Sequence, residues 1–206
     1  MSFDVVGLGA LNLDKLFKVN MIAKEDDESF ITEFKEFAGG SAANPIIGLA
    51  RLGLKTGFVG AVASGPEGNF IINELRNEGV GINGISISTG GRSGTVMGYV
   101  DPEGNRALYV DPGVNDNIDL SHINMDYVSN TEFLHLSSFV GEKPFNAQKN
   151  LVEQLSDVKI CFDPGTIYAR KGLAALRPII QRSYVLLPNM REVKLLTGYN
   201  YRKGAQ

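Results

Sequence analysis

Short β-rich runs and helical patterns alternate along most of the chain, and this alternation limits its fold more than any other feature. Residues 3–9, 56–63, 84–88, 133–137, 158–163 and 184–188 read as strands. The first is apolar on both faces, as in a buried parallel sheet. Between them, 42–52, 67–77, 120–129, 144–156, 173–181 and 190–196 read as helices. Strands joined through helices by short loops predict an α/β fold with a doubly wound, mostly parallel sheet.

Two segments break the rhythm. Residues 14–37 offer no helix, and Leu16, Val19, Phe30, Ile31, Phe34 and Phe37 suit extended strands. Residues 92–110 read as a hairpin, 94–100 and 106–110, around the turn Asp101-Pro102-Glu103-Gly104-Asn105. With no helices to cover them, these strands are expected to form a small separate sheet attached to a single domain over 1–206. The length agrees, since 206 residues exceed the usual ~150 of one domain by a small attachment. Asp-Pro-Gly occurs at 111–113 and 163–165 and reads as a turn both times.

Composition excludes whole classes of function. A chain that is 43% hydrophobic and 21% charged is an ordinary globular one. A net charge of −3 gives no reason to expect nucleic acid or an anionic membrane as partner. The single cysteine, Cys161, excludes intrachain disulfides and cysteine-rich zinc sites, and its apolar surroundings suggest a buried small hydrophobe. His122 and His135 are the only histidines, too few for a histidine metal site, and His135 reads as a core or edge residue. Asp4 stands where a signal peptide needs positive charge, and no apolar run approaches 18 residues, so a cytoplasmic protein is expected.

Most of the 24 glycines lie in the first half of the chain. Gly7-Leu8-Gly9-Ala10-Leu11-Asn12 nearly fits the dinucleotide fingerprint G-x-G-x-x-G, but Asn12 replaces the last glycine and 13–20 looks extended. An NAD-binding protein is therefore the third reading. No Gly-Lys pair occurs, so there is no Walker A loop. Gly39-Gly40-Ser41-Ala42-Ala43-Asn44 is more informative. Its glycines allow close ligand approach, Ser41 suits the N-cap of the next helix, and Asn44 would sit in the first turn, aimed back at the glycines. That makes a site for hydroxyl groups, or alternatively a plain capped helix start. Asn12 and Asp14 follow the C-terminal end of the first strand, where open α/β sheets bind ligands. A carboxylate there can accept paired hydrogen bonds from a sugar's adjacent hydroxyls, the alternative being a turn aspartate. Gly53 and Gly65-Pro66-Glu67-Gly68 read as a helix stop and a turn. Asn189 and Glu192 are spaced for a capping box, or for an amide and carboxylate that hold phosphate and hydrated Mg²⁺.

Together these motifs resemble the ribokinase (PfkB) family of carbohydrate and nucleoside kinases. Its glycine-glycine signature is similar to the stretch from Gly39-Gly40 through Gly53 and Gly60 to Gly65 and Gly68. Its N-x-D is similar to Asn12-Leu13-Asp14, and its N-x-x-E to Asn189-Met190-Arg191-Glu192. Ser41 stands where ribokinases proper often carry lysine. The resemblance implies a Rossmann-like domain with a small β-sheet lid, formed here by 14–37 and 92–110. It implies ATP-dependent, Mg²⁺-dependent phosphorylation of a hydroxymethyl group on a sugar or nucleoside. Asp14 and Asn44 would bind substrate hydroxyls and Gly39, Gly40 and Ser41 would approach through the backbone, with Asn12, Asn115 and the strand 94–99 as further contacts. Asn189 would face the triphosphate, and Glu192 would organise Mg²⁺ through water. The family's second signature, D-T-x-G-A-G-D, supplies an anion hole and the general base, and no G-A-G-D occurs in 1–206. The base is therefore expected beyond Gln206, in a longer kinase of which this chain is a piece. The alternative is a degenerate member that binds a sugar or nucleoside without catalysis. Exposed lid edges further imply a lid-mediated homodimer.

Overall fold

The computed structural model describes residues 2–204, and its elements follow the predicted order closely. The chain begins with β1 (Phe3–Leu8), β2 (Asn12–Val19), β3 (Ile31–Gly39), α1 (Ala43–Arg51), β4 (Thr56–Ala63), α2 (Pro66–Asn77) and β5 (Gly81–Ser88). It continues through β6 (Gly94–Val100), β7 (Arg106–Asp111), α3 (Met125–Ser129), β8 (Thr131–Ser137), α4 (Glu142–Gln154) and β9 (Lys159–Asp163). Last come α5 (Gly165–Ala169), α6 (Gly172–Arg182), β10 (Ser183–Leu186), α7 (Met190–Thr197) and α8 (Tyr201–Gly204).

Six strands form one parallel sheet in the order β10-β9-β8-β1-β4-β5. From β1 the chain builds outward through β4 and β5, then crosses back to add β8, β9 and β10 on the other side. The order therefore reverses between β1 and β8, and a crevice opens at their C-terminal ends. Strand β4 is buried along its whole length, as its run Thr-Gly-Phe-Val-Gly-Ala-Val-Ala requires of a central parallel strand. One core face packs Leu134, Leu136, Ile160 and Phe162 against α4 and α6, and the other packs Val5, Phe58 and Val62 against α1 and α2.

The remaining strands form a second sheet, β3-β2-β6-β7, with β2 and β6 parallel and both outer pairs antiparallel. Because β2 begins at Asn12, a strand stands where a dinucleotide fingerprint needs a helix. Gly7 and Gly9 serve another purpose. Cβ atoms there would lie 2.6 Å from Ile46 and from Ala42, so the two glycines let α1 settle onto β1.

Two local expectations are corrected, the helix over 120–129 and the burial of Cys161. The helix expected over 120–129 is a 3₁₀ turn, Leu120–His122, followed by the short α3. Asp119 caps the first piece and the Asn124 side chain accepts from the Tyr127 N–H to start the second, so two side-chain caps divide the run. Both Asp-Pro-Gly turns open helical segments, through an aspartate that accepts from the glycine N–H at 3.1 Å (Asp111–Gly113) and 3.0 Å (Asp163–Gly165). Cys161 is half-buried, beside the buried His135 in the register of β8 and β9.

A buried polar bridge fastens the crevice from below. Gln148 on α4 donates to the Ser137 carbonyl at 2.9 Å and accepts from the Tyr168 hydroxyl at 3.0 Å. Both side chains are fully buried. Replacing Tyr168 with phenylalanine leaves the Gln148 oxygen without this donor, and we expect a loss of about 1–2 kcal/mol in urea-unfolding stability.

Candidate active site

A cavity of about 350 Å³ lies where β1 and β8 end, between the parallel sheet and the lid sheet. Residues after β1 (Ala10, Asn12, Asp14) and after β8 (Ser138, Phe139, Val140) form its floor. Gly40, Ser41 and Asn44 close one side, and Val96, Leu108 and Val110 of the lid supply an apolar roof. Asn12, Asp14, Gly40, Ser41, Asn44 and Asn115, far apart in the chain, thus converge on one space.

Asp14 is the most unusual group in it. Its Oδ1 is buried and accepts no hydrogen bond among the described residues. Burial pushes its pKa up from 3.8 to about 6, with no neighbouring cation to hold it down. An acceptor left open at such a cost suits a ligand that brings its own donors, as a polyhydroxylated molecule does.

The glycine pair explains itself around this carboxylate. A Cβ on Gly39 would stand 2.1 Å from Asp14 Oδ2, so any side chain there would displace the carboxylate. Gly40 has φ of 132°, and a Cβ on it would stand 2.1 Å from the Ala10 carbonyl oxygen. Gly39 therefore makes room for a functional group, while Gly40 makes room for the neighbouring backbone.

The expected N-cap is corrected. Ala42 holds that position with no side-chain hydrogen bond, and α1 starts at Ala43. The turn at Gly40 brings the Asn44 N–H onto the Gly40 carbonyl at 3.1 Å and leaves Ser41 exposed at the cavity wall instead of capping.

Asn115 is 1% exposed and its amide is already engaged. It accepts from the Leu11 N–H at 3.0 Å and donates to the carbonyls of Leu11 and Pro112 and to Asn12 Oδ1. Gly94 packs against this cluster, since a Cβ there would stand 2.2 Å from both asparagine side chains. Asn115 borders the cavity chiefly as the clamp that joins β1, β2 and the end of β7.

Asn189 and Glu192 lie elsewhere, at the end of β10, and do not line this cavity. They form a reciprocal capping box. Asn189 Oδ1 accepts from the N–H groups of Arg191 and Glu192, and the Glu192 carboxylate accepts from Asn189 N and Nδ2 at 2.9 and 2.6 Å. Among the described residues no three metal-ligating side chains stand together.

Arg106, on β7, lines the cavity and was not singled out by its sequence. The signal lay in the period-two spacing of Arg106, Leu108 and Val110, which places all three on one face of the hairpin.

The family model of the pfkB family carbohydrate kinases matches residues 3–204. An uncharacterised sugar kinase of Archaeoglobus fulgidus is 40% identical over 163 residues, covering 78% of this chain and 64% of that protein. The ATP-dependent ribose-1-phosphate kinase of Halopiger xanaduensis is 27% identical over 197 residues, covering 96% of this chain and 65% of its own length. This chain thus spans just under two thirds of these curated relatives. The structure of Arabidopsis thaliana ribokinase complexed with ribose and ATP superposes with a TM-score of 0.83 at 19% identity, covering the whole of this chain and 67% of that one. On the family match over nearly its full length, the chain belongs to the pfkB family of carbohydrate kinases.

Proposed function

We propose that the protein phosphorylates a sugar with ATP, and that Asp14 and Asn44 hold the sugar's hydroxyl groups in the switch-point cavity. The observation that carries this reading is Asp14 Oδ1, buried and without a hydrogen-bond partner among the described residues, in a cavity walled by the glycine-glycine turn. Gly40 and Ser41 allow the sugar to approach the backbone, and Asn12 and Asn115 hold the lid strands around it. Val96, Leu108 and Val110 would exclude water once the lid sheet closes over a bound sugar, so that the phosphoryl group reaches the sugar in preference.

Asn189 and Glu192 are assigned to the nucleotide side. The Glu192 oxygens accept from Asn189, and the carboxylate would act on Mg²⁺ through water. One carboxylate of this kind fits an ion held mainly by waters and phosphate oxygens. Bound Mg²⁺ would offset phosphate charge during transfer.

The test is sugar-dependent ADP release from the intact protein with Mg-ATP, across a panel of sugars and nucleosides. Turnover with a sugar supports the assignment. Calorimetric sugar binding with no phosphorylated product would replace it with a non-catalytic binder.

A lid-mediated homodimer belongs to the same reading. Phe17 stacks between Phe34 and Tyr99 on the lid face turned from the cavity, and Ile31, Phe34 and Tyr109 of that face are exposed. A second copy would cover them. Light scattering should then return twice the monomer mass, and a monomer at micromolar concentration would remove the dimer. A cytoplasmic location, where ATP is supplied, fits this activity and is checked by cell fractionation.

A further inference from the structure

Among the described residues, Asp14 and Arg106 are the two charged side chains lining the cavity, and they stand at different places in it. Asp14, Val96 and Val110 occupy one row across β2, β6 and β7. Arg106 lies four residues further along β7 on the same face, paired with Val100. Four residues of strand cover about 13 Å and two strand spacings about 10 Å, which separates the two backbone positions by about 16 Å. Once the length of an arginine side chain is subtracted, the remaining gap suits a five- or six-carbon chain.

The arginine is also free. It makes no hydrogen bond or ion pair recorded among the described residues, whereas its neighbours on the lid are paired: Lys18 and Lys35 with Glu33, and Arg92 with Asp111. Nor is its charge spent on Asp14, whose carboxyl is raised by burial with no cation opposing it. A guanidinium that lines a ligand cavity with its fork of donors unused fits a planar or tetrahedral oxyanion, which it can bind bidentately.

We propose that Arg106 binds an anionic group, carboxylate or phosphate, on the sugar whose hydroxyls Asp14 holds. The substrate class is then a sugar acid or a sugar phosphate, and neutral sugars and nucleosides are the poorer ligands. This inference rests on the kinase reading above and deepens it.

The intact protein is assayed with Mg-ATP on two matched sets: ribose with ribose 1-phosphate, and glucose with gluconate and glucose 1-phosphate. An anionic member should exceed its neutral counterpart in kcat/KM by about 10- to 100-fold, the range expected of one charge-assisted contact. Whether a phosphate or the carboxylate leads identifies the anion. Arg106→Gln should bring the ratio of anionic to neutral kcat/KM close to one, and Arg106→Lys should retain part of it, with thermal melting used to confirm that both variants are folded. Turnover of neutral sugars at least as fast as the anionic ones, or a preference that survives in Arg106→Gln, overturns the role of Arg106 and leaves the kinase reading standing. No phosphorylation of any sugar overturns both.

Discussion

Replacing Asp14 with asparagine should weaken sugar binding by about 100-fold or more while making the ligand-free protein more stable at neutral pH. The first effect follows from two hydroxyl-to-carboxylate hydrogen bonds, each about 1.5–3 kcal/mol when the acceptor is charged. The second follows from burial. The folded-state pKa of about 6 lies above the unfolded value of 3.8, so the folded protein holds this proton more tightly than the unfolded chain does. The stability this confers is complete below about pH 4 and is lost as pH rises through 6, after which a buried carboxylate must be kept ionised. Asparagine removes that penalty. Discounted for the partial exposure of Asp14, the gain is about 1 kcal/mol, or about 2–4 °C in melting temperature. Scanning fluorimetry at pH 4 and pH 8 should show the two proteins alike at the lower pH and the variant higher at the upper. Sugar affinity of the unmodified protein should fall below pH 6, and that of Asp14→Asn should not follow. A variant that melts lower at pH 8, or binds sugar unchanged, would end the assignment of Asp14.

Gly40→Ala should cost about 3 kcal/mol or more, and with it about 6–12 °C in melting temperature. Two independent costs meet there, a φ of 132° that side chains avoid and a Cβ placed 2.1 Å from the Ala10 carbonyl oxygen. Gly53→Ala separates them, because Gly53 has φ of 92° with nothing within 4 Å of the added atom. It should lose only about 1 kcal/mol, the cost of the backbone conformation alone. Denaturant titration of both variants compares the two values directly. Similar losses would show that the Ala10 contact is unimportant.

The sheet elements were legible because their apolar patterning is local. Residues 56–63 read as a buried strand, and β4 has those bounds. The Asn189–Glu192 capping box was legible for the same reason, since its partners lie three residues apart. What escaped depended on distance or register. The Asn115 side chain bonds backbone 104 residues away, which no spacing announces. Arg106 carried no signal of its own until pairing with β6 fixed which face of β7 meets the cavity. Ser41 had the chemistry of an N-cap, but the positive φ at Gly40 turned the chain so that the helix began later.

The clamp around Asn115 also has a mechanical side. The chain passes between the two sheets four times, near Ala10–Leu11, Gly40, Gly94 and Pro112, and close packing or the Asn115 amide ties each pass to a neighbour. Four crossings gathered at one spot act as a pivot. The eight residues of β2 extend from it as a lever about 26 Å long, so a 10° rotation at the pivot carries the far end through about 4–5 Å. Residues beside the pivot, Asp14 among them, barely travel in that swing, while Arg106 at the outer end of β7 travels most. The Asp14 end of the cavity is thus set in advance, and the Arg106 end would move with the sheet.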